Sequence, residues 1–183
     1  MKRILIFSTA YFPFVGGAEV AIKEITDRLL EFEFTMITAW MDRKLPQKEI
    51  VGRVKIYRFG IGHKTLDKFL LALFGGWYGY FLHKKEKYDA VWAMMASYGG
   101  FAALSFKKMS EAPFLLTLQE GDSIEYILRK VRFARWRFNQ IFTMADGLQT
   151  ISNFLMKWGK EMGFSGQVSE VVPNGVDVLR FTK

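Results

Sequence analysis

Residues 3–20 have the sequence RILIFSTAYFPFVGGAEV, and this stretch decides the fold. Its first six residues form a nearly continuous apolar run, which is typical of a parallel strand buried on both faces of a sheet. A loop with Tyr11, Pro13, Gly16 and Gly17 follows, and apolar residues then recur at helical spacing to about residue 31. The opening therefore predicts a strand, a loop with two glycines and an amphipathic helix.

The rest of the chain repeats this alternation. Strands are predicted at 34–40, 53–59, 90–95, 113–118, 147–151 and 168–172, and helices at 64–87, 98–109, 123–144 and 153–162. The polar residues 41–52 are predicted to form a loop, and helix 64–87 is expected to break at Gly75 and Gly76. Such alternation favours right-handed crossovers. We predict an α/β, Rossmann-like, doubly wound, mainly parallel sheet of about seven strands with helices on both faces.

The composition limits the chemistry. The 183 residues are 50% apolar and 16% aromatic, which is enough for one well-packed domain. The absence of cysteine excludes disulfides and thiol nucleophiles, and the two histidines cannot build a metal site alone. Met1-Lys2-Arg3 leads directly into a strand and not into a signal-peptide core, so the expected location is cytoplasmic.

The formal net charge of +8 favours an anionic partner, which could be a ligand phosphate, a nucleic acid or an acidic membrane. One face of helix 123–144 mixes aromatic and basic side chains: Tyr126, Arg129, Lys130, Phe133, Trp136 and Arg137. Such a face suits peripheral contact with the inner membrane surface, a partner protein, a second domain or plain solvation. Arg135 falls at the edge of the buried stripe and needs a partner. The apolar run 69–82 is too short to span a membrane and is interpreted as a core helix, with a segment lying on a membrane as the alternative.

Ligands of parallel sheets bind beyond the carboxyl ends of the strands, which points to loops 9–18, 95–99 and 118–123. In loop 9–18, Gly16 and Gly17 at a helix start suit a phosphate, although the chain lacks the P-loop and dinucleotide motifs. A tight turn that needs glycine is the alternative. Glu19 has a simpler explanation as well, because it favours the helix dipole and lies four residues before Lys23.

Loop 118–123 carries an amide and two carboxylates, Gln119, Glu120 and Asp122. Such groups can bind sugar hydroxyls. The alternative is that Asp122 or Ser123 caps the next helix, and both roles are compatible.

Four motifs occur in a familiar order: GGAE (16–19), the loop after strand 113–118, ADGLQTIS (145–152) and VPNGVD (172–177). Together they resemble the N-terminal domain of the family-4 retaining glycosyltransferases, which have the GT-B fold. The resemblance implies that residues 1–175 form the acceptor-side domain. Residues 176–183 would begin a linker to a C-terminal domain, absent from this chain, that binds the donor. It also implies donor-phosphate or substrate binding by Gly16, Gly17, Glu19, Gln119 and Asn174.

The sequence departs from the family where many members carry a histidine, because Gln119 stands there and cannot transfer a proton. We expect Gln119 to position substrate and take Glu120 and Asp122 as the catalytic candidates.

The resemblance implies transfer of a sugar from a nucleotide-diphosphate sugar to a glycan or lipid-linked acceptor in cell-surface glycan or glycolipid assembly. It also implies that no metal or cofactor is needed and that the isolated chain is inactive. The alternative is a non-catalytic basic module for membrane or nucleic acid, although no nucleic-acid-binding motif is present.

Overall fold

The computed structural model describes residues 1–176, and it confirms the α/β fold. The strands are β1 (Lys2–Phe7), β2 (Phe32–Ala39), β3 (Lys48–Val51), β4 (Val54–Phe59), β5 (Ala90–Met94), β6 (Phe114–Leu118), β7 (Gly147–Thr150) and β8 (Val168–Val171). The helices are α1 (Gly17–Arg28), α2 (Leu66–Glu86), α3 (Tyr98–Ser110), α4 (Ile124–Lys130), α5 (Arg135–Thr143) and α6 (Asn153–Glu161).

Within the described residues the strands form one eight-stranded sheet in the order β3-β4-β2-β1-β5-β6-β7-β8. Neighbouring strands in this described sheet run parallel, except for the edge pair β3 and β4. From β1 the chain proceeds outward to β2 and β4, whereas from β5 it proceeds in the opposite direction to β8. The order therefore reverses between β1 and β5, which is where open α/β sheets bind their ligands.

The sheet is buried on both faces. Leu5 and Phe7 of β1 pack on one side into a large cluster with α2, α3, α5 and α6. Ile6 packs on the other side with Ile22 of α1. All four side chains are fully buried. This two-sided burial explains the continuous apolar runs of the central strands.

The structure corrects the strand count, because residues 41–52 contain strand β3. Val51 pairs with Val54, so Gly52 and Arg53 form a two-residue hairpin turn. Gly52 has a φ of +57°, which is favourable for glycine, and such turns match the twist of the two strands. A polar four-residue edge strand shows little apolar alternation, which is why the pattern indicated a loop.

Helix α2 is continuous through Gly75 and Gly76. A Cβ atom added at Gly76 would lie 2.5 Å from the carbonyl oxygen of Ala102 in α3. The glycine therefore lets two helix backbones come close together and does not break the helix.

The prediction of one continuous helix over residues 123–144 is wrong. A 3₁₀ turn at Arg132–Ala134 separates α4 from α5. In one straight helix Arg135 would share the buried stripe of Phe138 and Ile141, and burying an unpaired charge is costly. After the break Arg135 is exposed, and its Nε donates a hydrogen bond of 3.2 Å to Oδ1 of Asn139.

Candidate functional site

Loops 9–18, 95–99 and 118–123 meet at the carboxyl edge of the sheet and are tied together there. The hydroxyls of Thr9 and Ser97 lie 2.9 Å apart, which joins the first two loops. The backbone N–H of Ala96 donates to Oε1 of Glu120 at 2.6 Å, which joins the second to the third. Met95 between them has a φ of +68°, an unusual conformation for a residue with a side chain. Side-chain hydrogen bonds thus hold the three loops in one arrangement.

Helix α1 begins at this edge with its amino end open. Gly16 is the N-cap residue in an extended conformation, and it has no side chain with which to cap the helix. The first backbone N–H groups and the positive end of the helix dipole are therefore available to an anion. A Cβ atom at Gly17 would lie 3.2 Å from Nε2 of Gln119, so this amide stands directly beside the helix start.

Glu19 lies in the first turn of α1, as expected of a carboxylate that favours the helix dipole. It is buried, and Lys23 pairs with Asp27 instead of with Glu19. The Glu19 carboxylate folds back toward the start of its own helix, because a Cβ at Gly16 would lie 2.7 Å from its Oε2. The predicted surface pair with Lys23 is wrong. Glycine at position 16 leaves room for this carboxylate.

Gln119, Glu120 and Asp122 have different surroundings. Gln119 lines the cleft described below. Glu120 turns inward, and its Oε2 atom is buried without a hydrogen-bond partner among the described residues. Burial raises the pKa of the Glu120 carboxyl to about 7, although backbone N–H groups, that of Ala96 first, lower it in part. Asp122 is exposed, and Ser123 rather than Asp122 caps α4 by accepting from the N–H of Tyr126.

A cleft of about 1010 Å³ opens beside α1 at this edge. Four predicted binding residues lie in its wall: Gly16, Gly17, Gln119 and Asn174. Met94, Thr117 and Gln149 line it from β5, β6 and β7, and Pro173 to Val176 follow β8 along it. Glu19, Glu120 and Asp122 are not part of this wall. The cleft joins an open helix amino end to polar side chains from neighbouring strands, an arrangement that suits a phosphorylated sugar compound.

Arg58 of β4 contributes to the site, and the sequence gave no signal for it. Its side chain is 1% exposed and pairs with Glu49. Its guanidinium donates to the carbonyl oxygens of Phe12 and Pro46, both at 2.7 Å. Because Phe12 belongs to loop 9–18, this buried cation holds the loop that carries Gly16 and Gly17.

A second hollow of about 580 Å³ lies at the opposite, amino edge of the sheet. Four of its six charged side chains form ion pairs, Arg3 with Glu33 and Lys55 with Glu86. Among residues 1–176, no three histidine, cysteine or acidic side chains come together as a metal site would require. The carboxyl-edge cleft is therefore the candidate site.

The predicted basic-aromatic face is present in part. Phe133 and Trp136 are 86% and 64% exposed, and Tyr126 and Arg129 are exposed as well. Arg137 differs, because it is partly buried and donates a 3.2 Å hydrogen bond to the hydroxyl of Ser105. In the part of the chain that the structure covers, no helix has the length and apolar character needed to cross a bilayer.

Solved structures with the same architecture include GT-B glycosyltransferases and a UDP-N-acetylglucosamine 2-epimerase from Rickettsia bellii. Sucrose-phosphate synthase from Thermosynechococcus elongatus matches with a TM-score of 0.75 at 14% identity, over 98% of this chain and 49% of its own. Anabaena Alr3699/HepE, solved with UDP and glucose, matches with a TM-score of 0.63 at 14% identity, over 98% and 46%. The chain thus spans about half the length of these proteins. It has the Rossmann-like fold of one half of a GT-B glycosyltransferase.

The amino-acid sequence identifies the protein family to which the chain belongs. Residues 15–180 match the family model described as Glycosyltransferase Family 4. A search of curated protein sequences gave no match. The family match includes Gly16, Gly17, loop 118–123 and Asn174. The chain belongs to glycosyltransferase family 4.

Proposed function

We propose that this chain is the acceptor-side domain of a retaining hexosyltransferase that uses a nucleotide-diphosphate sugar. The observation that carries the proposal is the cleft in which the open amino end of α1, with Gly16 and Gly17, lies beside Gln119 and Asn174. Family membership supports it. So does HepE, which was solved with UDP-glucose. We further propose that a second domain binds most of the donor, so the isolated chain is inactive.

The open helix end supplies the first part of the mechanism. In a retaining transfer, the diphosphate leaves from the face on which the acceptor hydroxyl attacks. Negative charge grows on the departing phosphate oxygens, and amides fixed in advance at α1 stabilise that charge without rearranging. Gly16 and Gly17 carry no side chain between these amides and the donor. The proposed chemistry needs no metal ion.

The polar residues of loop 118–123 have separate roles in this proposal. Gln119 binds a sugar hydroxyl or phosphate oxygen beside Gly17, since its amide both donates and accepts. Asp122 is exposed at the carboxyl edge, so its carboxylate is available to an acceptor hydroxyl. Glu120 positions loop 95–99 through the N–H of Ala96, and its catalytic role is a prediction for mutagenesis.

We propose a lipid-linked or glycan acceptor, used in cell-surface glycan or glycolipid assembly. The support is the exposed group of Tyr126, Arg129, Phe133 and Trp136, which combines cationic and aromatic side chains as membrane interfaces require. In this proposal the domain works at the cytoplasmic face of the membrane.

The test is a Gly17→Val substitution in the natural full-length protein, assayed with UDP-glucose and other nucleotide-diphosphate hexoses. The added side chain meets Nε2 of Gln119 at 3.2 Å, which a small side-chain shift relieves, so the fold is retained. It also displaces a donor phosphate from the amides, and a displacement of about 1 Å costs roughly 100-fold in turnover. Gly121→Ala is the matched control, because a Cβ there meets nothing within 4 Å. Equal turnover and donor affinity in wild type and Gly17→Val would refute the phosphate role.

A further inference from the structure

Helix α2 exposes a row of large apolar side chains. They are Leu66, Phe69, Leu73, Phe74, Trp77 and Phe81, each between 44% and 66% exposed. At 100° per residue they lie within an arc of about 140°, so they form one continuous face of the helix. The face runs over four helical turns, a length of about 22 Å. Contiguous exposed apolar surfaces of this kind mark interaction sites.

The arrangement is the reverse of an ordinary surface helix, which turns its large apolar side chains toward the core. Three of the six buried residues of α2 are glycines: Gly76 approaches α3, and Gly79 lies over Phe7 and Leu5 of β1. Gly75, Gly76 and Gly79 are buried, whereas the phenylalanines and Trp77 face outward. The core therefore does not account for these aromatic side chains, each of which stays at least half exposed in the described structure.

The charges around this face are complementary to an anionic partner. On α2 itself Asp67 is fully buried, and Glu86 forms an ion pair with Lys55. Lys84 and Lys85 are exposed at the carboxyl end, and the Lys85 ammonium lies 4.4 Å from the ring centre of Phe81. The exposed charge on the helix is thus positive and adjoins the apolar row.

The face continues toward the aromatic residues near the carboxyl edge. The rings of Phe69 and Tyr98 are in edge contact, with centres 5.3 Å apart. On α4, the ammonium of the exposed Lys130 lies 4.1 Å from the ring centre of Tyr126. Aromatic side chains thus extend from α2 to the start of α3, and α4 exposes a further aromatic and basic pair.

We propose that the outer face of α2 is the principal membrane-docking surface of this protein, lying in the interface of a bilayer that contains anionic lipid. A helix with an apolar outer face and flanking lysines places its aromatic side chains among the acyl chains and its ammonium groups among the phosphates. The inference deepens the proposed function and rests on it for its purpose, since docking presents the cleft to a lipid-linked acceptor. It assigns the contact to a helix that the sequence predicted as core.

The experiment compares two double variants of the natural full-length protein by co-sedimentation with vesicles. Trp77→Ser with Phe81→Ser removes two members of the row, whereas Leu30→Ser with Ile50→Ser removes two apolar side chains that are equally exposed away from α2. The vesicles contain phosphatidylcholine alone or with phosphatidylglycerol. Wild type and the Leu30/Ile50 variant are expected to bind the anionic vesicles alike, and the α2 variant to bind them at least about 10-fold more weakly. Added salt should weaken wild-type binding but leave an apolar part.

Four results would overturn the inference. They are no vesicle binding by wild type, equal binding by the two double variants, binding abolished entirely by salt, and a dimer in sedimentation velocity that only the α2 variant loses. The last would assign the face to a second copy of the chain. Sugar transfer to a water-soluble acceptor separates this inference from the proposed function. If the α2 variant binds vesicles normally while Gly17→Val abolishes transfer, the docking surface fails and the transferase stands. If transfer is never detected but the α2 variant loses vesicle binding, the docking surface stands and the transferase proposal fails.

Discussion

Glu120→Gln gives the sharpest test of the carboxyl-edge geometry, because it isolates one buried titrating group. In the folded protein burial raises the pKa of Glu120 from about 4.5 to about 7. Below about pH 4.5 the carboxyl is neutral in both the folded and the unfolded chain. Between about pH 4.5 and about pH 7 the unfolded chain releases the proton while the folded chain retains it. The free energy of unfolding therefore falls as the pH rises through this window.

The size of the effect follows from the same two values. At about 1.4 kcal/mol per pH unit, the interval from about 4.5 to about 7 corresponds to about 3 kcal/mol of stability lost by pH 8. Glutamine is neutral at every pH, so Glu120→Gln removes this loss. Its Oε1 can still accept from Ala96, but an amide N–H₂ replaces the unpartnered Oε2, at a constant cost of about 1–3 kcal/mol.

The measurement is urea unfolding followed by tryptophan fluorescence between about pH 4.5 and about pH 8. The wild-type free energy of unfolding should decline across this range by about 3 kcal/mol more than that of Glu120→Gln. Asp122→Asn is the control, because Asp122 lies in the same loop but is exposed. The free energy of unfolding of this variant should vary with pH as that of wild type does. Parallel curves for wild type and Glu120→Gln would refute the buried, inward orientation of this carboxyl.

Three further substitutions test the support of loop 9–18, the packing of α2 against α3 and the loop before α2. Arg58→Met removes the hydrogen bonds to Phe12 and Pro46 and leaves the partly exposed Glu49 without its cation, so we expect a loss of about 1–3 kcal/mol in urea unfolding together with weaker donor binding; unchanged donor affinity would show that loop 9–18 keeps its conformation without Arg58. Gly76→Ala forces a methyl group against the Ala102 carbonyl and should cost about 1–3 kcal/mol, and an unchanged melting temperature would contradict the close helix packing. Asp67→Ala leaves the backbone N–H groups of residues 61–63 without their acceptor, with an expected loss of about 3 kcal/mol; a loss below about 1 kcal/mol would mean that water replaces the carboxylate.

The central strands could be predicted because of where they lie. β1, β5 and β6 are covered on both faces, so nearly every side chain in them is apolar and the runs are unmistakable. β3 was missed because its pairing depends on a glycine turn and on the ion pair between Glu49 and Arg58, neither of which gives a periodic pattern. The break in helix 123–144 was missed because the apolar spacing continues across it.

The candidate site was predictable in its position but not in the directions of its side chains. Gly16, Gly17, Gln119 and Asn174 follow strands or open a helix, and the carboxyl-edge rule brings such residues together. Gln119 and Glu120 are neighbours in the chain, yet one lines the cleft and the other turns inward. The difference is set by the backbone N–H of Ala96, 24 residues earlier in the chain. Contacts of that separation leave no trace in local sequence.

The glycine-lined contact between α2 and α3 has a consequence for how this sequence can diverge. Gly76 faces backbone atoms of α3, and Gly79 faces side chains of β1, so selection against any larger residue should be strong at both positions. Selection should be weaker at the large, outward-facing positions, since any apolar residue there keeps the exposed face of the helix apolar. Descendants of this gene should therefore keep the small residues of the helix nearly invariant while exchanging phenylalanine, leucine and tryptophan freely among the large ones.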